Sequence, residues 1–513
     1  MQQRPSPPNI LLPTNLDRSA WEAVCNWPDR STISTVKNGL NYGILTRYFL
    51  WDKVPRAIRY QLNPNQFSLE ETLWNQHRAQ QLNAPNAPTP PSEQSIQNAF
   101  HQLARLTALR LDRLGRSLIF VPRQHAQLRS TIAALQADPS FRFIAPNHPG
   151  NTDIRTFQTP PKRSPDIAFT ERLYQSILEG LEAFNIDLLL KDRQTLHHQL
   201  HQQAALIPQI EAELAAMRPN ALLVFSDNHT PSQEYVAIAN RQNIPTILLQ
   251  HGLDCERYCL SDAYASILAV WGPARQQQYQ QTSQQQPKQI QVTGNPRYDA
   301  QRPPKSLYPS GNQWLWVTRP HGPEKCYLPS RSPQEGLNIL TALIAALRQN
   351  PSARLAIKPH PFDYIDLYAA EIKKQQMSDR IALTRESLDQ QIPKANIVIS
   401  EDSTAALEAM FFGKILIHAH FAPSPPVLPL VQYSAALPAN TPELLQDSLS
   451  KATALSAEQA NQLFTGQRSF IRDYAGPLDG QATQRVSTLI KRVVTSKNCH
   501  PTHSQGPHLK RHD

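Results

Sequence analysis

Two apolar runs with a helical spacer between them decide the fold expected for this chain. They are Leu-Ala-Ile-Lys-Pro-His-Pro at residues 355–361 and Ile-Val-Ile-Ser-Glu-Asp-Ser-Thr-Ala-Ala-Leu-Glu-Ala-Met-Phe-Phe-Gly-Lys-Ile-Leu-Ile-His at residues 397–418. Each run ends in a cluster of polar side chains, and a helical pattern follows. Parallel strands whose carboxyl ends open onto a ligand crevice have this layout. The stretch therefore predicts two neighbouring strands of a parallel sheet.

The polar residues at the two strand ends are suited to bind an anion. Ser403 and Thr404 stand where a strand gives way to a helix at residues 405–412, so their hydroxyls and the first free N–H groups of the helix would meet. Lys358 and His360, at the end of the neighbouring strand, would add positive charge. The pattern predicts a diphosphate site. The alternative is an ordinary N-cap pair with no ligand.

The same alternation of strands and helices extends on both sides of this stretch and predicts an α/β protein with two doubly wound domains. We expect a helical N-terminal region with a Pro-rich linker at residues 1–115 and a first Rossmann-like domain at 116–300. A hinge at 301–312 and a second Rossmann-like domain at 313–465 follow. The chain would end with a helical segment at 466–494 and a disordered tail at 495–513.

The charge and motif content of the chain argue against several classes of protein. The chain has 513 residues and a formal net charge of +10, which suits anionic partners such as nucleotide phosphates, lipid head groups or an acidic polymer. We expect no nucleic acid partner, because basic blocks with interleaved aromatic residues are missing. The sequence contains neither GxGxxG nor GxxxxGK[ST], which argues against dinucleotide oxidoreductases and P-loop ATPases. With no apolar run long enough to span a bilayer and no apolar leader, we expect a cytoplasmic protein.

The five cysteines are scattered, which is typical of a reducing compartment. Cys255 and Cys259 are four residues apart, and His251 precedes Cys255 by four. A metal site there would lack a fourth ligand at matching spacing, so the sequence predicts no metal centre.

Several short motifs give this chain a resemblance to glycosyltransferases of the GT-B fold. Within that fold it resembles the bacterial capsule-polysaccharide and CDP-glycerol glycerophosphotransferase group, and more distantly the UDP-N-acetylglucosamine 2-epimerases. The resemblance covers roughly residues 116–493. Its motifs are Gln250-His251-Gly252, Val-Thr-Gly-Asn-Pro at 292–296, Lys-Pro-His-Pro at 358–361, residues 400–408 with Gly413, and Tyr-Ala-Gly-Pro-Leu-Asp-Gly-Gln-Ala-Thr-Gln-Arg at 474–485.

The resemblance implies two Rossmann-like domains facing across a cleft, with the last helices returning to the first domain. The second domain would hold the nucleotide of an activated donor. By similarity, the carboxylate of Glu408 would accept hydrogen bonds from the ribose hydroxyls; otherwise it is a solvated helix glutamate. The His-x-Glu-Ala-Gly run of the 2-epimerases is missing from the sequence, which argues against epimerase activity.

In such a transferase the diphosphate leaving group must be neutralised as its bond breaks. The chain has no Asp-x-Asp pair to hold a bridging metal, so we expect a metal-independent reaction without a cofactor. Fixed protein charges would then stabilise the leaving group. The candidates are Arg319, Lys358, His360, Ser403 and Thr404. Arg319 could equally belong to a surface ion pair.

The acceptor hydroxyl needs a general base, and His251 is the first candidate because an imidazole titrates near neutral pH. The resemblance supports this role; the alternative is a structural histidine in the turn before Gly252. Asp227 and His229 are second candidates for base or acceptor contact, or else caps of a helix beginning at Ser232. His125, in a loop after an early strand, is a further acceptor-side candidate.

Three functions compete. The first is transfer of a sugar or polyol phosphate from a nucleotide-sugar or CDP-polyol donor to a surface polysaccharide or a lipid-linked acceptor. The second is a UDP-N-acetylglucosamine 2-epimerase-like reaction, and the third is a non-catalytic GT-B scaffold for polysaccharide binding or export. A lipid-linked acceptor would bring the protein to the inner membrane as a peripheral partner, aided by its positive charge.

Overall fold

The structure is a computed structural model. It describes residues 15–65, 67–68, 71–72, 115–123, 129–146, 155–157, 166–253, 264–282, 287, 289–302, 304–307, 311–319, 333–361, 363, 365–421 and 426–498. The predicted Pro-rich linker and the predicted tail from residue 499 onward lie outside these ranges.

The N-terminal segment is mostly helical and shares a core with the first domain. Its elements are α1 (Asn15–Asn26), a 3-10 turn (Trp27–Arg30), the antiparallel pair β1 (Val36–Lys37) and β2 (Leu40–Asn41), α2 (Tyr42–Leu45), α3 (Arg47–Leu50) and α4 (Lys53–Leu62). The side chains of Trp27, Leu50 and Val54 are fully buried, in one cluster with Leu173 and Leu196 of the first domain. The segment is therefore part of the same folded body.

The first large sheet is parallel throughout. Its strands are β3 (Ser117–Phe120), β4 (Phe141–Pro146), β5 (Arg155–Phe157), β6 (Ala221–Val224), β7 (Thr246–Leu249), β8 (Ile267–Val270) and β9 (Gln289–Val292). Their order across the sheet is β5-β4-β3-β6-β7-β8-β9. Most are short apolar runs, as expected when helices cover both faces of a sheet. The direction of winding reverses between β3 and β6, where an open α/β sheet forms its ligand crevice.

Helices cover both faces of this sheet. They are α5 (Arg129–Gln136), α6 (Ile167–Glu182), α7 (Leu190–Met217), α8 (Ser232–Arg241) and α9 (Pro273–Thr282), and a 3-10 turn (Pro296–Tyr298) follows the last strand. The helix α7 contains Pro208, and its C-cap residue Arg218 has a left-handed φ of 43°.

The second sheet has the Rossmann strand order. Its parallel strands are β10 (Gln313–Val317), β11 (Arg354–Lys358), β12 (Ile381–Leu383), β13 (Ile397–Ser400), β14 (Ile415–Ala419) and β15 (Leu437–Ala439), arranged β12-β11-β10-β13-β14-β15. Val317 pairs with Lys358 on one side and with Ser400 on the other. The prediction that β11 and β13 are neighbouring strands is therefore wrong, because β10 lies between them. The ends of all three strands still meet at the point where the winding reverses.

The helices of the second half are α10 (Pro333–Gln349), α11 (Ile365–Lys374), α12 (Leu388–Gln391), α13 (Thr404–Phe411), α14 (Pro442–Thr453), α15 (Ala457–Tyr474) and α16 (Ala482–Asn498), with a 3-10 turn at Ile392–Lys394. The helix α16 ends four residues beyond the end predicted from the sequence. Among the described residues, no helix combines the length and the apolar character needed to cross a membrane.

The last two helices join the domains. Phe470 of α15 is buried against Met410 in the second domain, whereas Leu489 and Ile490 of α16 are buried against the first sheet. At the crossing the backbones touch: a Cβ added to Gly272 would lie 2.2 Å from the carbonyl oxygen of Asp473. Two doubly wound domains with a returning C-terminal helix form the GT-B architecture, so the predicted fold class is confirmed.

Candidate active site at the facing strand ends

Arg319 follows β10 at the switch point of the second sheet. Its side chain is only 6% exposed, and its Nη1 lies 3.9 Å from Oδ2 of Asp402, which follows β13. The two neighbouring strands thus place a guanidinium and a carboxylate at the crevice edge. The alternative of a surface ion pair for Arg319 is wrong, because this pair is buried.

Asp402 is the hydrogen-bond acceptor that organises this edge, although it is not among the site residues predicted from the sequence. Its carboxylate accepts hydrogen bonds from Nε2 of His418 (3.1 Å) and from the backbone N–H groups of Val427 (2.9 Å) and Leu428 (3.0 Å). Although burial raises the pKa of Asp402, the hydrogen bond and charge of His418, together with Arg319, hold it well below its ordinary value.

The trio Asp402, His418 and His420 offers three metal-type ligand atoms within 4.8 Å of one another. A carboxylate accepts about four hydrogen bonds, and Asp402 already accepts three, from His418 and two backbone N–H groups. Its Oδ2 also faces the guanidinium of Arg319 at 3.9 Å. The arrangement therefore serves to fix Arg319 and is a poor cation site.

The start of α13 lies beside this carboxylate. Ser403 is the N-cap of the helix, and its Oγ accepts a hydrogen bond from the N–H of Ala405 at 3.2 Å. The hydroxyl Oγ1 of Thr404 accepts a hydrogen bond from the N–H of Leu253 in the first domain, also at 3.2 Å. The helix start, where positive dipole charge concentrates, therefore faces the first domain.

Lys358 is the last residue of β11, the strand beside β10, and His360 lies two residues beyond it. The backbone N–H of His360 donates to Oγ1 of Thr318 at 2.9 Å, and the Thr318 hydroxyl donates in turn to the buried carboxylate of Asp363. This chain fixes the His360 turn against the residue before Arg319. The structure thus brings Arg319, Lys358 and His360 to one edge, and their contact with a phosphate stays a prediction.

His251 lies two residues beyond the end of β7 in the first domain and two residues before Leu253, which donates a hydrogen bond to Thr404. Its Nδ1 lies 2.8 Å from the carbonyl oxygen of Phe225. A carbonyl only accepts, so Nδ1 carries the proton and Nε2 is the basic nitrogen of the neutral ring.

The turn itself is rigid. The side chain of Gln250 accepts from the N–H of Trp271 (2.7 Å) and donates to the carbonyl of Gly252 (2.7 Å). Because the turn is fixed at both ends, the imidazole of His251 is oriented before any ligand binds.

Asp227 and His229 follow β6. Oδ2 of Asp227 accepts two hydrogen bonds at 2.7 Å from the N–H groups of Tyr264 and Ala265, and the residue is buried. This anchors the chain entering β8. Nδ1 of His229 lies 2.8 Å from Oγ of Ser226.

The proposed helix-cap role of Asp227 and His229 is wrong. The N-cap position of α8 is Pro231, and no side chain caps this helix. The ring of His229 instead lies 4.8 Å from that of Tyr48. The N-terminal segment thus contributes an aromatic residue next to His229 at the strand ends of the first domain, which sequence spacing could not reveal.

Glu408 is buried in α13 at the interface between the domains. Its Oε1 lies 3.3 Å from both Nη1 of Arg297 and the hydroxyl of Tyr298, which belong to the first domain. Burial raises the pKa of Glu408, and the charge of Arg297 opposes this. The alternative of a solvated glutamate is therefore wrong. The ribose contact implied by the resemblance stays a prediction.

His125, Cys255 and Cys259 lie outside the described residues, so the acceptor role of His125 and the cysteine spacing stay predictions.

No protein-family model matches the chain, and no curated protein matches it. Similar solved structures include Staphylococcus aureus MnaA with UDP (TM-score 0.48, 14% identity, 75% of this chain and 99% of that one). Others are Neisseria meningitidis UDP-GlcNAc 2-epimerase with UDP-GlcNAc (0.44, 15%, 73% and 99%) and Anabaena HepE with UDP-glucose (0.42, 13%, 74% and 99%). At such identities the similarity concerns the fold alone.

Proposed function

We propose that the protein is a GT-B transferase that moves a sugar or a polyol phosphate from a nucleotide-activated donor to a surface polysaccharide or a lipid-linked acceptor. The second domain would hold the donor and the first domain the acceptor. The reaction would rely on fixed protein charges at the leaving group.

The observation that carries the proposal is the contact between two specific strand ends. The turn of His251 meets the start of α13 through the hydrogen bond from Leu253 to Thr404, at 3.2 Å. This contact supports the proposal, because it brings the candidate base and a helix start suited to an anion to the same domain boundary.

The charges on the donor side suit a diphosphate. Arg319 is held by Asp402, and Lys358 lies at the end of the adjacent strand. These cations and the helix N-terminus are in place before the reaction, so stabilising the departing nucleotide requires little reorganisation. The basic Nε2 of His251 would take the proton of the acceptor hydroxyl as that oxygen attacks.

The first test is a screen of CMP-, CDP- and UDP-linked donors for thermal stabilisation, because a ligand that binds only the folded state raises Tm. Turnover of a donor that binds would then be measured as nucleotide release with a polysaccharide or lipid-linked acceptor. We expect His251→Ala to lower kcat by about 10²–10⁴-fold while donor binding persists. His198→Ala, at an exposed position on α7, is the matched control and should keep full turnover.

The competing functions give different results in the same assays. Donor consumption without any acceptor, with a 2-epimer as product, would show the epimerase reaction. A protein that binds none of the nucleotide-linked donors would be a scaffold. Cosedimentation with anionic vesicles at low salt tests the peripheral membrane contact, and its failure would remove that part of the proposal.

A further inference from the structure

Three side chains of types that can bind a metal ion meet between two helices of the first domain. Nε2 of His197 and Nε2 of His201 each lie 2.8 Å from Oε1 of Glu171. The two imidazole rings are 4.6 Å apart between centroids, and all three ligand atoms lie within 4.8 Å of one another. The group, here called the His-His-Glu cluster, shares no residue with the candidate active site.

Helix geometry explains why these residues meet. His197 and His201 are four residues apart on α7, so they project from the same face. Glu171 lies on α6, which packs against α7. The ring of Tyr174 packs edge-on against His197 at 4.9 Å and restricts its rotation. The side chains are 41% (His197), 26% (His201) and 43% (Glu171) exposed, so an ion can enter from solvent.

We propose that the His-His-Glu cluster binds a divalent transition-metal ion of the Zn²⁺ class. Two imidazole nitrogens and one carboxylate oxygen form a donor set that suits Zn²⁺, and two histidines at i and i+4 of a helix form a known binding pair. Three protein ligands leave a fourth position for water.

The distances are compatible with this ion after a small adjustment. Zn–N and Zn–O bonds are about 2.0–2.2 Å, so ligand atoms in a tetrahedral site lie about 3.4 Å apart. The nitrogen–oxygen contacts of 2.8 Å would open by roughly 0.6 Å, which rotation of the half-exposed Glu171 side chain allows.

The ion would join two helices that support the N-terminal segment. The close approach of α6 to that segment is seen at Gly180, where an added Cβ would lie 2.8 Å from the carbonyl oxygen of Trp27. Because the metal would bind α6 and α7 together only in the folded chain, its binding would stabilise this part of the molecule.

The test uses the full-length protein, freed of metal by a chelator, with ZnCl2 or CoCl2 added. We expect Zn²⁺ to raise Tm and Co²⁺ to give the visible absorption of a tetrahedral site. Both responses should be lost in His197→Ala and in His201→Ala. The matched control is His198→Ala, which removes the neighbouring exposed imidazole and should keep both responses. The chain has 17 histidines, so differences between variants are the readout.

Glu171→Gln separates metal binding from helix packing. Its amide oxygen still accepts hydrogen bonds from both imidazoles, so the metal-free Tm should stay near that of the wild type, whereas the metal response should be lost. The proposal is overturned if the wild type shows no response, or if the response persists in Glu171→Gln and His201→Ala. The trio would then be a purely hydrogen-bonded contact.

Discussion

Glu213 makes the stability of the first domain depend on pH. It is fully buried on α7, and its carboxylate accepts hydrogen bonds from the hydroxyl of Tyr235 and from Gln209. Burial raises its pKa from 4.5 to about 7, against the opposing effect of the two hydrogen bonds. Between these values the folded state holds a proton that the unfolded state has released, so stability falls as pH rises. At 1.36 kcal/mol per pKa unit, the total loss is about 3 kcal/mol.

The assay is urea unfolding of the wild type and Glu213→Gln at pH 5 and pH 8. The glutamine amide resembles the protonated acid and can serve both partners, so this variant should be about 3 kcal/mol more stable than the wild type at pH 8 and only about 1 kcal/mol more stable at pH 5. Glu182→Gln, which changes an exposed glutamate, should follow the wild type at both pH values. The reasoning is refuted if Glu213→Gln and the wild type show the same pH dependence.

Three further outcomes are expected. Arg319→Gln should weaken donor binding at least tenfold, measured by calorimetry, with Arg354→Gln at an exposed position as control. Asp299→Ala removes the acceptor of two N–H groups at the start of α16 (2.8 and 2.9 Å) and should cost about 2 kcal/mol in urea unfolding. Gly272→Ala places a Cβ 2.2 Å from the carbonyl oxygen of Asp473 and should lower Tm. An unchanged Tm would mean that the two backbone segments can move apart at little cost in stability.

Local patterns predicted individual strands but not which strands are neighbours, since β10 lies between the two strands expected to be adjacent. Short apolar runs ending in polar residues, such as 397–404, marked a strand and a following helix because strand burial and helix capping depend on neighbouring residues in the chain. The packing of the N-terminal segment could not be predicted from the sequence, since Trp27 and Leu50 pack against helices more than 100 residues away in the chain.

The roles of charged residues were predicted less well, because the partner of a charge is set by the tertiary structure. Asp402 was part of the quoted stretch but passed unnoticed, and its partners His418, Val427 and Leu428 come from the following strand and loop. Asp227 was considered for catalysis or capping, whereas it holds the start of another strand. The sequence alone does not show whether backbone N–H groups will donate hydrogen bonds to a given carboxylate.

The structure also distinguishes among the residues that were predicted, without any ranking, to bind the diphosphate. Asp402 neutralises part of the charge of Arg319, and the Thr404 hydroxyl already accepts a hydrogen bond from the first domain. Lys358, half-buried at the same edge, takes part in no ion pair found among the described residues. A charge without a nearby counter-ion contributes most to the potential felt by an incoming diphosphate. Lys358 and the N–H groups of α13 are therefore expected to provide most of the attraction, while Arg319, fixed by its carboxylate, provides the geometry.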